Sequence, residues 1–431
     1  MGTFYFSLKM LKKEVRESII YMMILTLTIA IAFLFFNIID HSYLMKQFDQ
    51  DIINAQNIHF SSVLSLIVIA FCAFMIIFAN NFYISKKTKE IAIMTMSGSR
   101  FIDITLYLFY QNIVMSLVAF LLGSFLGSLL AIGVNNCIYQ YLSYSIPFFY
   151  LPIQAYWHTL YCLLAILIAQ LIYASGFVYR KDISYMLTQE KKNSKEDIRL
   201  IRFPSFIYIG LYCFGLVMLL SAKFSIGGVL TACGISLLGL SGIIKYYLEK
   251  FLLSLKRRKY MKNPLKIISL SHLYYSLRRS VLLMMLYDFF GCLMICVLTI
   301  CQNNPREWIV SIIGFIVILF LLLASLIYRY LMEVNMRKSA FHHLYKMGYS
   351  YTQLVKIIQQ EILYYYLFFI GLPLIFMIVI FLKAFQYMTI SMIIGTLGGQ
   401  ILLIIVTAWL TYIFYKKSAL YFLIKEKKEY E

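Results

Sequence analysis

The chain has 431 residues, of which 62% are hydrophobic and 13% are charged. A soluble domain carries about 45–50% apolar and about 25% charged residues, so this chain has too few charges to cover a solvated surface. The composition excludes a soluble enzyme, and the low polar content excludes a disordered chain. It predicts a polytopic membrane protein.

The formal net charge of the chain is +20. In a soluble protein such an excess of Lys and Arg would suggest a nucleic-acid partner, but in a membrane protein basic residues accumulate in cytoplasmic loops. We therefore predict no nucleic-acid partner. Anionic lipids of the inner leaflet are the expected partner of the basic run at residues 256–259.

Ten segments are apolar enough to cross a membrane, which takes about 20 mainly apolar residues each. They are predicted to be helices, because lipid forces every backbone polar group to find a partner within its own segment. With a cytoplasmic N-terminus, the outer loops carry Lys46, Lys223, Arg306 and Lys383, and the inner side carries the other basic residues. The sequence thus predicts an all-α membrane protein with ten spans and both termini in the cytoplasm. The segments are 19–37, 61–83, 105–133, 155–178, 205–222, 225–246, 281–301, 308–329, 360–382 and 389–414.

Three segments occur twice, in the same order and at the same places relative to the spans. Their recurrence predicts two four-helix halves, residues 1–192 and 262–431. Residues 193–261 then form a linker with an inserted two-helix hairpin. The matched segments are 7–23 with 269–285, 86–102 with 336–352, and 179–187 with 415–423.

The first elbow, residues 84–104, is the inner loop between the second and third spans. Its basic start predicts the beginning of a short cytoplasmic helix, its apolar middle predicts a buried face, and its glycine suits the left-handed residue that ends a helix. The candidate docking residues are Lys87, Lys89, Glu90, Ile91, Met94 and Gly98.

The second elbow, residues 330–359, repeats this plan between the eighth and ninth spans. A capping box from Ser350 to Gln353 is predicted to start the following helix. A short helix, a glycine stop and a rigid start of the next span would together act as a lever, because a push on the short helix would move the span. The candidate docking residues are Arg337, Lys338, Leu344, Lys346 and Gly348.

An isolated basic loop is most simply a surface segment that lies on anionic lipid headgroups. Two matched copies in equivalent places favour a different interpretation, because a soluble dimeric partner needs two equivalent docking sites. We therefore predict that the elbows bind such a partner.

The residues from Lys87 to Ser99 read Lys-x-Lys-Glu-Ile-x-Ile, followed by a Ser-Gly-Ser turn. This pattern resembles that of the FtsX/MacB-type permeases. The ten spans, the hairpin between the halves and the second copy ending Lys346-Met347-Gly348-Tyr349-Ser350 are similar to the bacitracin-resistance (Bce-type) permeases of low-GC Gram-positive bacteria.

The resemblance implies the permease subunit of a type VII ABC transporter in a bacterial cell membrane. A separate cytoplasmic ATPase, working as a homodimer, would dock on the two elbows and bind ATP and Mg²⁺. This chain has no GxxxxGK[ST] phosphate-binding loop, so we expect it to bind no cofactor and to be no enzyme itself. The resemblance also implies an amphiphilic cargo, such as an antimicrobial peptide or a lipid-linked molecule, and a role in antimicrobial peptide resistance.

Two features depart from the family pattern. Ala340 stands where the first elbow has Glu90, so the two docking contacts differ. The Bce-type relatives carry a large extracellular domain between the seventh and eighth spans, where this chain has only residues 302–307. The second departure weighs against peptide binding or kinase sensing through such a domain. The main alternative function is a signalling or mechanical protein that transports nothing and passes ATPase motion to a membrane histidine kinase or a cell-wall enzyme.

Polar residues in or near the spans are the remaining candidates. Asp288 lies two turns into the seventh span, where an ionised carboxylate is costly, so it is expected to face a partner or water. It has either a functional role or a structural one as a hydrogen-bonded acid. Glu361 begins the ninth span and is expected at the headgroups. Gly123 and Gly127 form a GxxxG motif that permits close helix packing.

The outer loop at residues 134–154 is rich in aromatic residues. They form either an interfacial belt at the headgroups or a surface that grips an amphiphile.

Overall fold

The computed structural model describes residues 3–13, 15–41, 60–142, 149–180, 204–221, 226–258, 263–303, 305–387 and 389–420. The regular structure in these ranges is helical, which confirms the prediction of an all-α polytopic membrane protein. The α-helices are α1 (Thr3–Lys13), α2 (Val15–Asp40), α3 (Phe60–Lys86), α4 (Thr88–Met96), α5 (Phe101–Leu142), α6 (Ile153–Arg180), α7 (Ser205–Ser221), α8 (Ile226–Gly242), α9 (Leu248–Arg258), α10 (Pro264–Ile300), α11 (Pro305–Lys346), α12 (Tyr351–Ala384) and α13 (Ile390–Ala419).

Within the described ranges, eight helices are long and apolar enough to cross a membrane, or nine if a bent pair counts as one span. The bent pair is α12, which turns by 40° at Pro373 because proline lacks the amide N–H and its ring clashes with the preceding turn. Each of the ten predicted segments overlaps a helix, but α7 has only 17 residues. The count of ten spans stays a prediction.

The chain divides into two compact units. The first comprises residues 1–196 and 305–317, and the second comprises residues 197–304 and 318–431. The predicted boundaries of the two halves and of the inserted hairpin stay a prediction.

Close packing of α2 against α5 organises the first unit. A Cβ atom on Gly123 would lie 2.9 Å from the Thr26 carbonyl oxygen, and one on Gly127 would lie 2.8 Å from the Ala30 carbonyl oxygen. Real Cβ atoms do not approach backbone this closely, so both positions need glycine. The GxxxG motif therefore permits the close approach that the sequence predicts.

A chain of buried polar side chains crosses the first unit. Asn80 on α3 accepts hydrogen bonds from Tyr21 on α2 (3.4 Å) and from Asn112 on α5 (3.1 Å), and Gln170 on α6 reaches the Tyr21 hydroxyl at 3.5 Å. Four helices are thereby linked. Hydrogen bonds between spans are stabilising because lipid supplies no alternative partner.

Two histidines lie in the first unit, near the C-terminal end of α2. His158 Nδ1 is 2.7 Å from Asp40 Oδ2. His41, which follows α2, is buried and hydrogen-bonded to the Tyr139 hydroxyl, with the Tyr150 ring 4.9 Å away. Burial lowers the pKa of His41 to about 4, because it penalises the charged imidazole.

We expect the first unit to lose stability in acid because of His41. The unfolded chain protonates this histidine near pH 6.5 but the folded protein does so only near pH 4, so the free energy of unfolding falls as the pH drops through that window. The expected loss is about 3 kcal/mol at most. Thermal unfolding of the His41→Gln variant in nanodiscs is the matched measurement, and an equally steep decline in that variant would contradict the assignment.

In the second unit, α7 and α8 form a tight helical hairpin. A Cβ atom on Gly239 would lie 2.5 Å from the backbone nitrogen of Tyr212, and one on Gly242 would overlap the Tyr208 side chain. The hairpin is therefore held together by backbone contact that only glycine allows. Its second helix, α8, packs against α10.

Candidate functional site

Both elbows contain a helix that stops at a glycine in the left-handed region. The φ angle is +84° at Gly98 and +93° at Gly348. The amide of Ser99 donates to the Met94 carbonyl, and the amide of Tyr349 donates to the Leu344 carbonyl, at 3.1 and 3.2 Å. These are the bonds of a Schellman motif, which satisfies the last carbonyls of a helix. The two stops are identical in pattern, 250 residues apart.

After the glycine stop of the second elbow, the next helix, α12, begins with a capping box, as the sequence predicts. The Gln353 side chain accepts from the Ser350 amide at 3.0 Å, and the Gln353 amide donates to the Ser350 hydroxyl at 3.4 Å. This reciprocal bonding fixes the start of α12 relative to the stop at Gly348. A movement of the second elbow is therefore transmitted rigidly to α12.

The sequence predicts the same plan for both elbows, but in the structure the two elbows differ in one respect. The first contains a separate short helix, α4, because a turn at Lys87 divides it from α3. The Thr88 hydroxyl donates to the Ser85 carbonyl at 3.0 Å, which competes with helix continuation. The second elbow has no separate helix, since α11 continues without a break to Lys346. Residues 336–338 (Met-Arg-Lys) are good helix formers, and they give the chain no local reason to turn.

Three of the candidate docking residues face the interior of the first unit. Lys87 is 1% exposed, and its Nζ lies 3.2 Å from Glu90 Oε2 and over the Tyr83 ring. The Tyr107 hydroxyl donates to the same Glu90 oxygen at 2.7 Å. Burial lowers the pKa of Lys87, and the attraction of Glu90 partly opposes this shift. Ile91 is fully buried.

The buried face of α4 belongs to a hydrophobic cluster. Ile91 packs there with residues of α3, α5 and α6, and Met94, which is half-buried, packs against the cluster edge. This cluster joins the elbow to three long helices, so α4 cannot shift without them. The cluster comprises Ile84, Ile91, Ala92, Ile104, Tyr107, Leu108, Ala174 and Phe177.

The opposite face of the first elbow exposes apolar side chains that are absent from the predicted docking set. Ile93 is 63% exposed and Met96 is 65% exposed. Ile93 lies two residues after the buried Ile91, and Met96 two residues after the half-buried Met94, so helical periodicity places them on another face. The Lys89 side chain lies outside the described part of the structure.

The second elbow has a similar exposed apolar surface around its glycine stop. Met347 is 72% exposed and Tyr345 is 42% exposed, and both are additional to the predicted set. Lys346 is exposed and Leu344 is half-buried. The side chains of Arg337 and Lys338 lie outside the described part of the structure. The assignment of all these residues to docking stays a prediction.

Asp288 lies on α10 and is 1% exposed. Its Oδ1 accepts a long hydrogen bond, 3.6 Å, from the thiol of Cys292, and its Oδ2 has no hydrogen-bond partner within the described residues. The side chain is therefore enclosed by protein. Its role, structural or functional, stays a prediction.

Two charged residues near the ends of spans are buried instead of solvated. Glu361 was expected at the headgroups, but it is fully buried among α10, α12 and α13. Arg329 on α11 is 1% exposed and is absent from the predicted sites. A charge at the end of an apolar run is ordinarily solvated, so no local pattern in the sequence distinguishes these two.

The described helices and the two elbows define a multi-pass membrane protein with paired hinge-like segments between spans. The family model for the C-terminal domain of FtsX-like permeases matches residues 62–181, a range that holds the first elbow and runs through α6. No curated protein matches the chain. The family match supports a permease of the ABC-transporter type, and it makes an ABC ATPase the implied partner.

Proposed function

We propose that this chain is the membrane subunit of a type VII ABC transporter in a bacterial cell membrane. A cytoplasmic ATPase homodimer, with its bound ATP and Mg²⁺, docks on the two elbows. Its cycle moves, extracts or expels an amphiphilic cargo.

The exposed apolar face of each elbow is the observation that carries the proposal. Ile93 and Met96 on the first elbow, and Tyr345 and Met347 on the second, are exposed. Exposed apolar side chains that are grouped together and rimmed by polar residues are typical of a surface that binds protein. Lys346 and Arg100 are exposed beside them and add a basic rim.

The buried faces of the elbows supply the coupling. The first elbow is attached to α3, α5 and α6 through Ile91 and its cluster, and the second continues into α12 through the Ser350 cap. A force on the exposed face is therefore carried into long helices instead of being lost in a flexible loop. In this proposal Lys87 and Glu90 hold the elbow in shape, and the exposed residues contact the ATPase.

An amphiphilic cargo, either an antimicrobial peptide or a lipid-linked molecule, fits the aromatic surface near the start of α6. Phe149 is 75% exposed, and Trp157 stacks on Tyr161 with 6.1 Å between ring centroids. Aromatic side chains of this kind sit well where headgroups meet acyl chains. Part of the predicted outer loop, residues 143–148, lies outside the described residues.

Anionic lipids are the proposed partner of the segment around α9. Lys250 is exposed on this helix beside the exposed Phe251, and Lys256 is partly buried with its Nζ 2.7 Å from the Ser271 hydroxyl. Such a combination favours the inner-leaflet interface. The side chains of Arg257 and Arg258, and the whole of Lys259, lie outside the described residues.

The proposal is tested with Met96→Glu and Met347→Glu, alone and combined. The full-length protein is purified from its native membrane, and the co-purifying ABC ATPase is quantified by mass spectrometry. A buried charge without a partner costs several kcal/mol, so the double variant is expected to retain less than about one-tenth of the ATPase. Each single variant is expected to lose less.

Lys13→Glu is the control, because it reverses a charge at an exposed site outside both elbows. Undiminished ATPase in the double variant would refute docking on these faces. Stimulation of ATP hydrolysis in nanodiscs, by a cationic antimicrobial peptide or by a lipid-linked precursor, then identifies the cargo class. Co-purification of a histidine kinase, without stimulation by either cargo, would instead favour the signalling alternative.

A further inference from the structure

Glu361 lies at the centre of a hydrogen-bonded cluster in the second unit. It accepts from the His272 Nδ1 and the Ser276 hydroxyl of α10, at 3.3 and 3.4 Å. It also accepts from the Tyr415 hydroxyl of α13, at 3.2 Å. A single buried carboxylate on α12 thus joins three helices.

Arg329 brings the fourth helix, α11, into the same cluster. Its guanidinium donates to the Tyr365 hydroxyl of α12 at 3.0 Å and to the Ser276 carbonyl of α10. Glu361 and Arg329 therefore share Ser276, one through the hydroxyl and the other through the carbonyl. Burying a charged side chain is costly unless it is hydrogen-bonded, and Ser276 supplies a partner to both Glu361 and Arg329.

The cluster also holds the second elbow. Phe341 lies in the last two turns of α11, within the second elbow, and is fully buried. Its ring lies 5.7 Å from the His272 ring and 6.1 Å from the Tyr415 ring, edge to face in both cases. The two side chains that contact Phe341 are thus two of the donors to Glu361. Their positions are set by the carboxylate, and they in turn set the position of Phe341.

The first unit has a comparable arrangement at the same offset of 250 residues. Gln111 corresponds to Glu361, and Ile91 corresponds to Phe341; all four side chains are fully buried. Gln111 accepts from the Tyr83 hydroxyl at 3.0 Å and donates to the Ser7 carbonyl at 3.4 Å. Tyr83 in turn lies beneath Lys87 of the first elbow. In each half, one amide or carboxylate side chain ties the elbow to the segment that precedes the first span of that half, α1 in the first half and the start of α10 in the second.

We propose that Glu361 is a positioning residue that holds the second elbow against the transmembrane helices, with Gln111 as its counterpart in the first half. This inference rests on the proposed function, because the attachment matters only if the elbow transmits force to the transmembrane helices. Glu361 is fully buried, so it is not itself a docking residue. It acts by orienting His272 and Tyr415 around Phe341.

The test is hydrogen exchange of the full-length protein in nanodiscs, measured by mass spectrometry without any ATPase. In Glu361→Ala, amides of residues 341–347 are expected to exchange about tenfold faster, because the lost bonds free His272 and Tyr415. Amides of residues 88–97 are expected to stay at the wild-type rate. Gln111→Ala is expected to show the reverse pattern.

Gln359→Ala is the matched control, since it removes an exposed hydrogen bond from the same helix, to Tyr412 at 3.0 Å. It should leave the exchange of residues 88–97 and 341–347 unchanged. If Glu361→Ala does not fold, Glu361→Gln decides, because it keeps one acceptor oxygen and the same shape. Glu361→Gln is expected to give faster exchange at residues 341–347, by a smaller factor.

Equal exchange at both elbows in the Glu361 and Gln111 variants would overturn the proposal, because a merely structural role loosens the whole protein. No change at residues 341–347 would overturn it as well. The exchange measurement does not depend on whether the protein binds an ATPase. Faster exchange in a protein that binds no ATPase would refute the proposed function and leave the positioning role intact.

Discussion

Gly127→Leu is expected to prevent stable assembly of the first unit. A Cβ atom at this position would lie 2.8 Å from the Ala30 carbonyl oxygen and 3.0 Å from the Phe33 Cβ, and neither can move without α2. The two helices must separate along their closest contact, so we expect a loss of about 3 kcal/mol or more in the free energy of unfolding. The measurement is the thermal unfolding midpoint in detergent, together with the monodisperse fraction from size-exclusion chromatography.

Gly133→Leu is the matched control for this effect. Gly133 lies on the same helix, α5, and nothing lies within 4 Å of the Cβ atom that a substitution would add. Leucine is a better helix former than glycine, so this variant should be as stable as the wild type or up to about 1 kcal/mol more stable. If the two leucine variants unfold at the same temperature, the close approach of α2 and α5 does not stabilise the unit.

The ends of the helices are predictable from sequence because their signals are local. Gly98 and Gly348 follow apolar helical segments, and each adopts the left-handed conformation that few other residues tolerate. Ser350 and Gln353 are three residues apart, which is the spacing of a capping box. These motifs need no knowledge of the rest of the chain.

The faces of the first elbow are not predictable in this way. Lys87 is a basic residue in a basic loop, and its partner Glu90 is held by Tyr107, which lies further along the sequence. The same holds for Ile91 and Ile93, two identical residues of which the first is buried and the second exposed. Only the packing of α5 and α6 against α4 distinguishes them.

The cluster around Glu361 shows a second limit of sequence analysis. Arg329 and Glu361 each lie at the end of an apolar run, where a charged residue normally reaches the headgroups. In the structure they are buried because Ser276, Tyr365 and other partners come from separate helices. A pairing that depends on four helices leaves no local pattern. Only the offset of 250 residues to Gln111 could have pointed to it.

Glu90→Gln is expected to destabilise the first elbow most at neutral pH. The variant keeps the shape of the side chain but removes the anion 3.2 Å from the buried Lys87. Removing one partner of a fully buried ion pair costs about 3–5 kcal/mol, and Glu90 is 18% exposed, so we expect a loss of about 2 kcal/mol in the free energy of unfolding.

This loss is expected to shrink as the pH rises. Burial already lowers the pKa of Lys87, and removal of the Glu90 charge lowers it further because that attraction favours the charged amine. Between the folded and unfolded pKa values the unfolded chain binds more protons, so stability rises with pH there. Unfolding midpoints of wild type and variant, measured in detergent between pH 7 and pH 10, are expected to converge.

The double variant Lys87→Met, Glu90→Gln separates the charge from the shape of the site. It buries no cation, so its deficit relative to wild type should not decrease with pH in the way that the deficit of Glu90→Gln does. A constant deficit for the single variant across this range would show that Lys87 stays charged without Glu90. The contact with Tyr83 would then be sufficient to hold the cation, and the elbow would owe its shape to the hydrophobic cluster around Ile91 rather than to the ion pair.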